Sequence, residues 1–187
     1  MVRWRNSPEC YGIIAQAFHW LIAALVFAQL ALGLYAAGLP FSLARLQWLS
    51  RHKALGLTIL ALVLLRLGWR AMNRPPALPG SMPRWERRAA AVNHSLIYVL
   101  LVLAPLAGWL QASAAGLSAS WFGLFQVPDL VPKNPQLSDL FKLLHRICVG
   151  SLAVLLLAHT GAALRHAFLL RDSVVHRMLP WKPRRTG

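Results

Sequence analysis

Six of the seven histidines in this 187-residue chain fall in or beside apolar runs: His19, His52, His94, His145, His159 and His166. Imidazole titrates near neutral pH, ligates transition metals and, when neutral, is cheaper to bury than a charged ligand. A polar group in hydrocarbon is costly unless something satisfies it. Six of them point to a shared bound partner rather than six unrelated core contacts. His145 and His159 are 14 residues apart within HRICVGSLAVLLLAH. On a helix that spacing falls about 40° short of four turns, so both rings share one face, separated by about 21 Å along the axis. His166 follows seven residues later, on nearly the same face.

The elements that carry these rings read as membrane spans. The chain is 57% hydrophobic and 13% charged, with a mean hydropathy of +0.50; a soluble domain carries about 25% charged residues. Apolar runs predict spans at about 13–34, 50–70 (with a helical lead-in from about Arg45), 91–112 and 142–170. The fold class is therefore an all-α integral membrane protein, a four-transmembrane-helix bundle forming one domain over 1–187. Tyr35 to Gly38 resembles a small-residue cleavage site. The preceding apolar run is too long for a signal peptide and contains His19-Trp20, so the first span is read as retained.

Charge sets the expected orientation. The net charge is +15, and fourteen of the twenty Lys and Arg residues fall on one side, in the first five residues, from Arg66 to Arg88 and from Arg165 onward. This positive-inside pattern predicts both termini and the middle loop on the cytoplasmic side. The basic residues flank spans, which excludes a nucleic-acid reading. With that orientation His52 and His145 lie near the outer face. His19, His94, His159 and His166 lie near the inner face.

Two facing imidazoles are the axial ligands of a low-spin haem, whose apolar macrocycle fits between helices. Two levels imply two haems stacked across the bilayer, with His52 and His145 at the outer level and four candidates at the inner one. Zinc would need three or four clustered ligands, and no Asp or Glu lies in the spans. Arg66 is 14 residues after His52, so it either pairs with a haem propionate or snorkels to the interface. Arg146, beside His145, has the same two readings. Gly56, Gly150 and Gly161 lie near ligand candidates and are expected to give a ring room or to pack helices.

The connections are plainer. The proline- and arginine-rich loop after the second span is irregular and hydrated. The longer loop after the third carries Trp121, Phe122 and Phe125; it suits either the headgroup region or a lid over a site. Trp4, Trp48, Trp69, Trp85, Trp109 and Trp181 sit near span ends as interfacial anchors. Cys10 and Cys148 are too far apart to pair, and His176 beyond the last span is solvated.

His19-Trp20, His52-x3-Gly56, Arg66, His94 and the His145…His159…His166 ladder resemble the bacterial cytochrome b561 family, which includes membrane superoxide oxidases. The core is also similar to dihaem cytochrome b subunits of formate dehydrogenase and nickel–iron hydrogenase. The resemblance implies two haems b, with His19 and His159 holding the inner iron and His52 and His145 the outer. It also implies electron exchange with ubiquinone or quinol in a bacterial cytoplasmic (inner) membrane, as part of a respiratory chain. His94 and His166 then remain as a possible quinone site, hydrogen-bonding a quinone oxygen and relaying its proton. The expected activity is superoxide oxidation coupled to ubiquinone reduction, with superoxide attracted by the outer basic residues. The alternative is a haem-bearing anchor that passes electrons between a separate redox partner protein, a dehydrogenase or hydrogenase, and quinone.

Overall fold

The computed structural model describes residues 3–78 and 82–179; Trp181 and the tail cations Lys182, Arg184 and Arg185 lie outside them. Four long helices, α1 (Ile13–Gly38), α2 (Leu43–Met72), α3 (Arg84–Ala114) and α4 (Pro135–Leu164), make up the body. A two-stranded antiparallel hairpin, β1 (Ser120–Trp121) and β2 (Phe125–Gln126), lies between α3 and α4. A π-turn over Arg165–Leu170 continues α4, and a 3₁₀ turn covers His176–Met178.

Each helix runs beyond its apolar stretch, because hydrophobicity marks what lipid covers while capping residues decide where the backbone ladder stops. Ser42 caps α2 by accepting from Arg45 N at 3.2 Å. Asn134 caps α4 by accepting from Leu137 N at 3.1 Å, with Pro135 in the first turn. Gly116, at φ +70°, ends α3: Leu117 N donates to Ala112 O and Gly116 N to Ser113 O, each at 2.9 Å.

Counted through Leu170 for the last, the helices are 26, 30, 31 and 36 residues long and apolar enough to cross a bilayer, which needs about 20 residues. Ile22, Val26, Ile59, Val63, Leu101 and Leu152 form the buried centre. Many other large side chains, Phe27, Leu34, Leu65 and Leu157 among them, are exposed on the bundle. A surface this apolar is a liability in water and the ordinary boundary of a protein in hydrocarbon.

The connections close the two ends differently. At the end holding both terminal segments, Asn6 Nδ2 donates to Asn73 O at 3.1 Å, and Gln16 Nε2 donates to Leu179 O at 3.1 Å. Trp20 Nε1 also donates to Met178 O at 2.9 Å. At the other end the hairpin folds back onto α2: Trp121 Nε1 donates to Thr58 Oγ1 at 3.1 Å, and Lys53 Nζ donates to Leu117 O at 2.9 Å. Phe122, Leu124 and Phe125 stay exposed on this hairpin. The long loop is therefore a built element, tied to the helix that carries His52.

Candidate site: two levels of paired histidines

Close backbone packing joins α1 to α2, α2 to α3 and α3 to α4. Histidine rings meet between helices at both ends of the bundle. At the hairpin end His52 of α2 faces His145 of α4 with ring centres 6.2 Å apart. At the terminal end His19 of α1 faces His159 of α4, also at 6.2 Å. His94 of α3 lies against the same His159 at 5.2 Å.

These spacings discriminate between contacts. A metal held end-on between two imidazoles, about 2 Å from each nitrogen, sets the ring centres roughly 6 Å apart. Rings joined directly by an N–H···N bond come closer, to about 5 Å. The His19–His159 and His52–His145 pairs have the first spacing, and His94–His159, an edge contact at 5.2 Å, is closer than that. Among the described residues no three or more His, Cys, Asp or Glu gather as a metal cage; two rings meet at the hairpin end, and at the terminal end His159 meets both His19 and His94.

Each ring of the hairpin-end pair sits in a prepared seat. His145 Nδ1 donates to Ala104 O of α3 at 2.8 Å, which fixes the tautomer and leaves the Nε2 lone pair available. The next residue, Pro105, lacks an N–H and interrupts the α3 ladder locally. Gly108, one turn on, lets the ring approach: a Cβ there would lie 3.1 Å from His145 Nδ1. His52 rests on α1. Gln29 Nε2 donates to His52 O at 2.9 Å and stands 3.3 Å from its Nε2. A Cβ at Gly33 would come 2.8 Å from His52 Cε1. His52 Nδ1 is buried and has no hydrogen-bond partner among the described residues. A buried imidazole nitrogen left without a partner is an atom that a metal satisfies.

The terminal-end level is more polar. Arg66 Nη2 donates to His19 Nδ1 at 3.2 Å, and its guanidinium lies over the Tyr98 ring, as does that of Arg70. Tyr11, just before α1, is close by; burial raises its phenol above the usual range while Arg70 pulls it down. His166 is buried at this end, and its Nδ1 contacts Asp172 Oδ2 at 2.5 Å. Arg146 is exposed, with no hydrogen bond or ion pair among the described residues, and His176 is exposed as well.

None of the glycines singled out from the sequence, Gly56, Gly150 and Gly161, lies against an imidazole. A Cβ at Gly56 meets only Gln29 Nε2, at 3.1 Å, and at Gly150 or Gly161 it meets nothing within 4 Å. Gly33 and Gly108 are the glycines against which imidazoles pack. A signal for them exists: Gly33 is 14 residues after His19 and Gly108 is 14 after His94. All four helices repeat this interval, with His52/Arg66 on α2 and His145/His159 on α4. One turn pattern thus places a group at each of two levels about 21 Å apart on every helix. Gln29 and Asp172 were also missed, although Gln29 is the one polar side chain between Trp20 and Tyr35.

Four apolar helices with paired, half-buried imidazoles between them are the arrangement of a membrane-embedded cytochrome b. The model of the prokaryotic cytochrome b561 family matches residues 10–181, and the chain belongs to that family. Membership brings haem b and electron transfer within a multi-pass bacterial membrane protein. Among curated relatives, the chain is 34% identical over 178 residues to "Cytochrome b561 homolog 2" of Escherichia coli (strain K12), covering 93% of each chain. It is 29% identical over 166 residues to "Cytochrome b561 homolog 1" of the same organism, covering 87% of this chain and 92% of the relative. It is 28% identical over 174 residues to "Probable superoxide oxidase CybB" of Yersinia pestis, covering 92% and 97%.

Proposed function

We propose that the chain holds two haems b, the outer between His52 and His145 and the inner between His19 and His159, with both termini cytoplasmic. The observation that carries this is the equal 6.2 Å spacing of two imidazole pairs at two depths, the two rings of each pair coming from different helices. Bound there, haem supplies one-electron transfer between the two faces of the membrane. The protein's own contribution is to orient the rings, exclude water and balance charge. Carbonyl and amide groups at the outer level hold the ring planes. Arg66 serves the inner level. Arg66 Nη2 stands 3.2 Å from His19 Nδ1, where its guanidinium would balance the negative charge of a haem held by His19 and His159.

The reaction we propose is superoxide oxidation at the outer face coupled to quinone reduction at the inner face. Two superoxide anions lose one electron each and leave as O₂; one ubiquinone takes both electrons and two protons and leaves as quinol. His94 and His166, at the terminal end and not in either iron pair, would bond the quinone oxygens. Support for the donor comes from the relative named a probable superoxide oxidase and from the outer cations, of which Lys53 is anchored beneath the hairpin. The test is rapid mixing of purified oxidised protein with superoxide, followed by ubiquinone-1. Haem reduction by superoxide and reoxidation by quinone is the expected sequence. No response to superoxide, with copurification of a soluble redox subunit, would instead favour the anchor role.

A seat mutation separates ring placement from ligation. In Gly33→Val the added carbons collide with His52, so the outer haem is expected to be lost or sharply weakened while every histidine remains. Reduced-minus-oxidised spectra read this directly; unchanged content of both haems would remove Gly33 from the outer seat.

A further inference from the structure

The backbone after α4 takes an unusual route. The sequence predicts regular helix to Leu170, but α4 gives way at Arg165 to a π-turn, a rare conformation that is frequent at functional sites. The turn ends at Arg171, a non-glycine residue at φ +50°, a conformation side chains disfavour. The result is that Asp172 folds back on the turn. Its N–H donates to His166 O at 3.2 Å, Oδ1 accepts from Val174 N at 3.0 Å, and Oδ2 meets His166 Nδ1. The imidazole is 11% exposed and the carboxylate 35%. A buried ring is thus backed by a partly exposed carboxylate. Neighbouring charges are engaged elsewhere: Arg165 with Glu86 of α3 at 3.1 Å, and Arg171 with the Phe168 carbonyl. Asp172 is one of five acidic residues in the chain, and none of them lies in the apolar stretches.

We propose that Asp172 is the positioning residue of a proton-delivering His166–Asp172 dyad at the quinone site, a role that rests on the quinone reading above. The carboxylate accepts the Nδ1–H and fixes the ring, so that Nε2 is the atom presented to a quinone oxygen. When both ring nitrogens carry protons, the Nε2–H passes to the quinone oxygen and the Nδ1–H stays with Asp172. A proton from water at the terminal end refills Nε2. Two such cycles supply both protons of the quinol, and the two electrons come from the pair of reduced haems.

The test pre-reduces the purified holoprotein with dithionite and follows haem reoxidation by ubiquinone-1 or by ferricyanide, which takes electrons without protons. Asp172→Asn is expected to slow the quinone reaction roughly 10- to 100-fold, the usual cost of losing such a partner, and to enlarge its solvent deuterium isotope effect. The ferricyanide rate and haem spectrum stay as in wild type, and Asp172→Glu recovers most of the rate. If Asp172→Asn loses haem, His166→Gln, which leaves the carboxylate and its Val174 bond in place, carries the same comparison. Equal slowing with both oxidants, or a wild-type quinone rate in the variant, overturns the dyad alone. Wild-type protein that ferricyanide oxidises and ubiquinone-1 does not would overturn the quinone reading and the dyad with it.

Discussion

Replacing His145 with alanine is expected to cut the haem content from two per chain to one, leaving the inner haem with an unchanged spectrum. His145 donates Nδ1–H to Ala104 O and faces His52 with a free Nε2; among the described residues no other histidine stands at that level. A six-coordinate haem that loses one of two axial imidazoles, in a site with no substitute ligand, loses most of its anchorage. The inner pair is about 21 Å away along α4 and shares no side chain with the outer one. His52→Ala should behave alike. Haemochrome quantitation of each variant measures the effect, and two haems in either variant would contradict the pairing.

The inner level gives the second large effect, because there the sequence alone offers four imidazoles. His159→Ala and His19→Ala are each expected to remove the inner haem. His94→Gln is expected to retain both haems while lowering quinone reduction. The distinction follows from spacing: His159 faces His19 across 6.2 Å but touches His94 at 5.2 Å, too close for an end-on metal between them. Spectra of the three variants resolve it. A His94 variant with one haem, or a His19 variant with two, would move the iron to the other pair.

The four spans, their polarity pattern and the histidine ladder were legible in the sequence because each follows from a period or a composition. Fourteen-residue spacing is a geometric statement about a helix before any neighbour is known. The helix ends were less legible, since Ser42, Asn134 and Gly116 act through hydrogen bonds that hydropathy does not register. The seats were missed for a similar reason. Gly33 and Gly108 matter through what a Cβ would strike on another helix, and that depends on helix pairing. Asp172 was hidden by the π-turn: on a regular helix His166 would keep to the face of His159. The 14-residue repeat shared by all four helices was open to reading, yet it becomes meaningful only when a glycine counts as the complement of a ring.

Chemical quantitation of haem in the purified, folded protein from haem-replete cells tests the central claim most directly, by pyridine haemochrome against protein concentration. The expected result is two b-type haems per chain, with a Soret band and low-spin α-bands on reduction. A folded preparation that is colourless, or that saturates at a single haem, would contradict iron binding at two levels.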